Sequence, residues 1–220
     1  MMNEKYQSVF DIVGPVMVGP SSSHTAGAAK LGFAAGKLLP TRPDKIQIDY
    51  YESFAKTHAG HGTDFAIVAG ILGMETNDPR LPESLDLVHE LGIPVQINEM
   101  QTPSPLGHPN TAQLTLWAGQ KKVSLWGDSI GGGKIEVKQI QLGEKTLELP
   151  GPLPVLLFSC PPSRLPQILA KMATLSVVVT AQNFCQLNQT ENLYALNLQK
   201  EIAPKSELEL SQLCHNLICL

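Results

Sequence analysis

The spacing of apolar residues in the first half of the chain predicts both helices and strands. Residues 26–39 combine small and apolar side chains in a helical pattern, whereas DKIQIDYY at 44–51 alternates between apolar and polar positions, as a strand does. GHGTDFAIVAGILG at 60–73 predicts a polar turn and then a helix that begins near Thr63. Another helix is predicted over 78–93, with its apolar positions on one face: Leu85, Leu87, Val88 and Leu91.

Alternating patterns after this point predict further strands. They are PVQINEM at 94–100, TAQLTLWAG at 111–119, KKVSLWGDS at 121–129 and GKIEVKQI at 133–140, the second and third joined as a hairpin through 119–121. Because helices and hairpins are mixed without strict strand–helix alternation, we predict the α+β fold class.

The proline-rich text LPGPLP at 149–154 predicts a linker, because proline interrupts both helices and central strands. We therefore expect two domains, at 1–148 and 153–220. The second shows the element pattern β-α-β-β-α-β, which is the ferredoxin-like split motif.

Composition narrows the classes of function. A net charge of −4 argues against a nucleic-acid partner, which requires a basic stripe. No run of about 18 apolar residues predicts a membrane span, and MMNEKYQSVFD lacks the apolar segment of a signal peptide, so we expect a cytoplasmic protein. The cysteines form no CxxC pair, which favours buried thiols over disulfides or a metal site of this chain alone: Cys160, Cys185, Cys214 and Cys219.

An unusual polar run precedes the first predicted helix: Ser21, Ser22, Ser23, His24 and Thr25. One serine suffices to cap a helix, whereas several hydroxyls beside the free N–H groups of a helix start suit an anion such as a carboxylate. A nucleophile with its base is a third interpretation. It is disfavoured because no serine of this run stands in a GxSxG elbow, and the absence of GxGxxG likewise disfavours a dinucleotide site.

Three more polar segments carry candidate chemistry. In THAGHGTD at 57–64, a histidine between glycines suits a general base or a metal ligand, and a glycine-rich turn is the plain alternative. GHPNT at 107–111 either positions a ligand or turns the chain. GDSIGGG at 127–133 is an anion-cradling loop or a hairpin turn, but not a P-loop, since no Gly-Lys-Ser/Thr follows.

Together these segments resemble the β chain of the iron–sulfur-dependent bacterial L-serine dehydratase. The matching text is SVFDIVGPVMVGPSSSHTAGAAKLG at 8–32, SFAKTHAGHGTDFAIVAGILG at 53–73, HPNTAQLTL at 108–116 and SIGGGKIEV at 129–137. The remaining part, 153–220, resembles an ACT domain more weakly. The resemblance implies that the first domain folds like the allosteric substrate-binding domain of some phosphoglycerate dehydrogenases.

The resemblance also implies an enzyme that removes water from L-serine, after which the aminoacrylate hydrolyses to pyruvate and ammonia. It implies a [4Fe–4S] cluster that acts as a Lewis acid on the serine hydroxyl and is bound by a partner α chain, not by this chain. Homodimerisation through either domain is a further expectation. A regulatory serine-binding module and a stand-alone metal-dependent lyase are the alternative functions.

Removal of the α-proton of serine needs a base. The resemblance and the flanking glycines assign this role to His61, while Asp64 has the alternatives of capping a helix or orienting His61. The substrate is expected to contact the residues of the polar motifs: Ser21, Ser22, Ser23, His24, Thr25, Thr63, Asp64, His108 and Asn110. SCPPSRLP at 159–166 lacks the acidic residue and glycine of ACT ligand sites, so dimerisation or α-chain docking is expected there.

Overall fold

A computed structural model describes residues 17–220, and this part divides into two compact units, the first through residue 136 and the second over 137–220. The fold class is α+β, as predicted. The first residues of the family resemblance, 8–16, lie outside the described part. Within 17–220 the structure holds no helix of the length and apolar character that crossing a membrane requires.

In the described part of the first unit, the first element is a π-helical segment, Ser22–Gly27, that continues directly into a helix. Its helices are α1 (Ala28–Lys37), α2 (Glu52–His61), α3 (Thr63–Ile71) and α4 (Ser84–Glu90), the last after a 3₁₀ turn at Leu81–Glu83. Its strands are β1 (Lys45–Tyr50), β2 (Val95–Glu99), β3 (Thr111–Ala118) and β4 (Lys121–Gly131), and the division between the units falls within β5 (Lys134–Leu142).

The strands of the first unit lie in the order β2-β1-β3-β4, with β1 and β2 parallel and the other pairs antiparallel. The predicted hairpin is confirmed, because Ala118 pairs with Lys121 across the turn between β3 and β4. Ile48 of β1 and its partner Leu114 of β3 are fully buried. Since side chains of a strand alternate between the two faces, such pairs form one apolar face of the sheet.

Helices α1 and α3 pack so closely that their backbones touch. A Cβ atom at Gly32 would lie 2.1 Å from the carbonyl oxygen of Ile67, and one at Gly70 would lie 1.9 Å from that of Ala29. Only glycine permits this approach. The Thr25 hydroxyl donates a hydrogen bond to the carbonyl oxygen of His61, so the segments that lead into the two helices meet.

Two predictions in this unit are wrong in part. The polar turn expected before Thr63 is mostly helix, since α2 continues through His61 and only Gly62 adopts a left-handed conformation, with φ 71°. In the helix predicted over 78–93, Val88 is buried but Leu91 is 44% exposed, because α4 ends at Glu90, one residue before it; Leu81 of the preceding turn is fully buried.

The second unit contains the hairpin of β5 and β6 (Lys145–Glu148) and then a separate sheet. Its remaining elements are β7 (Val155–Cys160), α5 (Leu165–Thr174), β8 (Val179–Gln186), β9 (Asn192–Leu198), α6 (Pro204–Ser211) and β10 (His215–Cys219). This is the β-α-β-β-α-β order expected from the sequence, in an antiparallel sheet with the order β10-β7-β9-β8. Residues 149–154 contain no helix or strand.

Candidate functional site

The polar run before α1 caps the π-helical segment and leaves part of its donor capacity unused. The Ser21 Oγ accepts the N–H of His24 at 3.1 Å and lies 3.4 Å from Nδ1 of the same histidine. The N–H of Thr25 donates to the Ser21 carbonyl at 2.8 Å. The N–H groups of Ser22 and Ser23 come first in the segment, and among residues 17–220 no hydrogen bond is found for them, as for the first N–H groups of helices in general. Capping and anion binding are therefore compatible here.

His24 and His61 are in direct contact. Their ring centroids are 4.8 Å apart at an interplanar angle of 90°, and the His24 ring also meets the edge of Phe54. The Thr25 hydroxyl is fully buried and donates to the His61 carbonyl at 3.1 Å. Burial, followed by the charge of His61, lowers the pKa of His24, which favours a neutral ring near pH 7.

The third and fourth polar segments meet the first one through Ser129. Its N–H donates to the Asn110 carbonyl at 3.0 Å, and its hydroxyl donates to the Ser23 carbonyl at 2.7 Å. The Asn110 N–H in turn donates to Nδ1 of His108 at 3.1 Å. Hydrogen bonds and ring contacts thus connect all four polar segments that the sequence singled out.

The segment GDSIGGG is neither a separate loop nor only a turn. Strand β4 continues to Gly131, so Ser129 is a strand residue and the tight turn follows it. A Cβ atom at Gly27 would lie 2.0 Å from the Ser129 Oγ. Glycine at position 27 is therefore what lets the strand approach the π-helical segment.

Three residues predicted to bind substrate have buried polar atoms without a hydrogen-bond partner among residues 17–220. These atoms are Nε2 of His24, Oγ1 of Thr63 and Oδ1 of Asn110. Buried polar atoms nearly always have a partner, so each exception requires an explanation such as a ligand. The polar groups left for a ligand are therefore the amide oxygen of Asn110, the hydroxyl of Thr63 and a ring nitrogen of His24.

His58 is a candidate that sequence reasoning missed. Its Nδ1 lies 2.8 and 2.9 Å from the two carboxylate oxygens of Asp64, and its Nε2 lies 3.1 Å from Oε1 of Glu99. Burial lowers the pKa of His58, but the hydrogen bonds to both carboxylates and their charges outweigh it, so the net pKa is raised. The ring stacks on buried Tyr50, with centroids 4.9 Å apart.

These contacts bear on Asp64, for which helix capping and orientation of His61 are the alternatives. Its carboxylate is taken up by His58, and its helix α3 has no side-chain cap hydrogen bond. The described contacts of exposed His61 are instead those with Thr25 and His24, which leave both of its ring nitrogens open.

The described residues do not fit the iron–sulfur cluster that the resemblance implies. Within 17–220 no group of three or more His, Cys, Asp or Glu side chains is placed to hold a metal ion. Cluster ligation needs thiolates. Burial is the main cause, and the charge of Cys160 the second, of the raised pKa of the Cys214 thiol, which is about 11. Burial is also the main cause of the raised pKa of the Cys160 and Cys185 thiols.

Comparison with known proteins places the four polar segments in one family. The serine dehydratase beta chain family matches residues 8–140. A probable L-serine dehydratase beta chain of Bacillus subtilis (strain 168) is 45% identical over 153 residues, which cover 70% of this chain and 68% of that protein. The L-serine dehydratase beta chain of Peptoniphilus asaccharolyticus is 35% identical over 161 residues, with 71% and 70% covered. L-serine dehydratase TdcG of Escherichia coli (strain K12) is 33% identical over 150 residues, 58% of this chain and 33% of that protein.

Proposed function

Because this chain belongs to the serine dehydratase beta chain family, we propose that it is the β subunit of an L-serine dehydratase that acts together with an α chain. The two chains convert L-serine to pyruvate and ammonia in the cytoplasm. The observation that carries the substrate-binding role is the set of buried, unpartnered polar atoms on His24, Thr63 and Asn110.

The carboxylate of L-serine binds where the segments leading into α1 and α3 meet. Helix N-termini carry partial positive charge; the π-helical segment that continues into α1 begins at Ser22 and α3 begins at Thr63, both within a few residues of the contact between Thr25 and His61. In this proposal the Ser21 hydroxyl, 3.4 Å from Nδ1 of His24, donates to that nitrogen of the neutral ring. Nε2 then carries the hydrogen and donates to the carboxylate together with the Thr63 hydroxyl. Further contacts come from the neighbouring polar residues: Ser22, Ser23 and His108.

The ammonium group of the substrate donates to Oδ1 of Asn110. The amide of Asn110 is held in this orientation because its Nδ2 donates to the Ser129 carbonyl at 3.4 Å. Thr25 and Asp64 contribute indirectly in this proposal, since their side-chain oxygens already bind His61 and His58.

His61 removes the α-proton. Its ring nitrogens are open, whereas both nitrogens of the nearby His58 are engaged by carboxylates. His61 takes the α-proton and the β-hydroxyl departs, which forms the carbon–carbon double bond of aminoacrylate; the proton on His61 then passes to the departing hydroxide, so that one water is lost and His61 is neutral again. Its imine tautomer then takes up water and releases ammonia and pyruvate.

The [4Fe–4S] cluster belongs in this proposal to the α chain. The residues described here supply no ligand set for it, and the steps of this chain are the binding of the amino-acid groups and the proton transfer.

We further propose that the first domain, 1–148, resembles an allosteric substrate-binding domain and that the second, 153–220, is ACT-like. The strand order β10-β7-β9-β8 supports the second assignment. The function proposed for this second domain is homodimerisation or docking of the α chain.

Co-expression with the α chain under anaerobic conditions, followed by a pyruvate assay with L-serine, tests the function. The complex should form pyruvate, and Asn110→Ala should raise KM about tenfold, equivalent to ~1.4 kcal/mol. For the His61→Gln variant described next, His89→Gln is the matched control, because His89 is exposed on α4 and has none of the contacts described above. No pyruvate from an intact, cluster-loaded complex would refute the dehydratase function.

His61→Gln separates the base from the regulatory alternative. The substitution should lower kcat by about 10²- to 10⁴-fold, which is the usual contribution of a general base. Normal turnover in this variant would show that His61 is not the base. Normal turnover together with serine binding to the full chain alone would favour a regulatory serine-binding module.

A further inference from the structure

Three side chains close a hydrogen-bonded bridge beside the glycine that separates α2 from α3. We call this set of His58, Asp64 and Glu99 the His58 clamp. His58 lies in the last turn of α2, Asp64 in the first turn of α3, and Glu99 ends β2. The clamp therefore ties three elements of the first unit together at one point.

The clamp spans the bend next to His61. Only Gly62 separates α2 from α3, and it adopts φ 71°. The side-chain bond from His58 to Asp64 crosses this bend. On the other side, the Thr25 hydroxyl binds the His61 carbonyl.

We propose that the His58 clamp positions His61, so that His58 is a positioning residue for the proton transfer assigned above; this inference rests on the proposed function. His58 precedes His61 by three residues on the same helix, so the two side chains are neighbours on its surface. Fixing His58 to Asp64 and Glu99 fixes the rotation of the last turn of α2. That rotation sets where the His61 ring lies against His24.

The clamp works with a protonated imidazole. A charged ring donates from both nitrogens, whereas a neutral ring carries one hydrogen and can donate to only one carboxylate. The groups that face the ring from neighbouring elements are Asp64 on α3, Glu99 on β2 and the stacked Tyr50 on β1. The raised pKa of His58 agrees with a charged ring held between two carboxylates.

The kinetic test compares clamp variants in the complex with the α chain. His58→Ala and Glu99→Gln should each lower kcat by about ten- to a hundredfold, as misplacement of a reacting group does, with KM nearly unchanged. His58→Asn keeps an N–H near the position of Nδ1 and should restore most of the loss. Glu90→Gln makes the same charge change on the exposed end of α4 and should leave kcat unaltered.

A second readout needs no turnover. In NMR spectra of the full chain alone, the wild type and Glu90→Gln should show a cross-relaxation signal between the rings of His24 and His61, which are 4.8 Å apart. Glu99→Gln should weaken this signal. The Glu99 side chain is 58% exposed, so this variant carries the test even if His58→Ala fails to fold.

The two readouts separate failure of the inference from failure of the function. An unchanged kcat and an unchanged ring signal in Glu99→Gln would overturn the clamp, and so would a loss confined to KM. If the wild-type complex forms no pyruvate, the proposed function fails, and the ring signal still decides whether the clamp orders His61.

Discussion

Replacing a helical glycine by alanine should have opposite effects on stability at Gly70 and at Gly60. Gly70 lies in the close contact of α1 and α3, and Gly60 lies outside it. A Cβ atom at Gly70 would lie 1.9 Å from the Ala29 carbonyl oxygen and 2.7 Å from the Phe33 nitrogen, whereas ordinary contact begins at 3.4 Å. These are backbone atoms, so a helix must move by about 1.5 Å, and such overpacking costs about 1–3 kcal/mol or more. The helix propensity of alanine returns only about 1 kcal/mol. We expect Gly70→Ala to lower the free energy of unfolding by ~2 kcal/mol.

Gly60→Ala is the matched control. Gly60 also lies inside a helix, α2, but a Cβ atom there would meet nothing within 4 Å. Here the propensity of alanine acts alone, and we expect the free energy of unfolding to rise by about 0.5–1 kcal/mol.

Urea unfolding followed by tryptophan fluorescence measures both effects. The two tryptophans of the chain, Trp117 and Trp126, lie on β3 and β4, so the signal reports on the first unit. Linear extrapolation gives the free energy in water. A Gly70→Ala protein as stable as the wild type, or a Gly60→Ala protein less stable than Gly70→Ala, would refute the reasoning from backbone contact.

Three further results are expected. Thr25→Val should lower the free energy of unfolding by about 1–3 kcal/mol, because the His61 carbonyl loses the hydroxyl that donates to it. Thr25→Ser keeps a hydroxyl and should lower this free energy by less; equal decreases in urea unfolding would contradict the role of the hydroxyl. Gly27→Ala should raise the KM for L-serine in the complex, because the new methyl group displaces Ser129, and an unchanged KM would count against a site at that contact. The pKa of His58 is raised on folding, so its stabilising effect is complete below the unfolded value of about 6.5 and is lost as the pH rises through the folded value. The stability difference between wild type and His58→Ala should therefore be larger at acidic than at alkaline pH, and a constant difference in urea unfolding would argue against this.

Local patterns predicted the elements that depend on local spacing. The β3–β4 hairpin and the start of α3 at Thr63 are examples. Helix α2 was missed because ESFAKTHAGH has no apolar period, and its start is held by distant residues. The N–H groups of Ser53 and Phe54 donate to the carbonyl of Pro109, a contact that no local pattern indicates.

The candidate site shows the same limit. The family resemblance grouped the four polar segments, but the bond from Ser129 to Ser23 joins residues 106 positions apart. His58 and His61 share one short segment, so the sequence could not tell which ring is engaged. That distinction depends on Glu99, 41 residues beyond His58.

The glycine contact between α1 and α3 also bears on how substrate preference can change. The glycines that fix the spacing of the two helices, Gly32 and Gly70, are separate from the polar residues that precede each helix. New specificities can therefore be sought by varying 21–25 and 108–110 in a mutant library while the glycines are kept. A library that also varies the glycines would lose most of its members to misfolding before selection acts on the substrate.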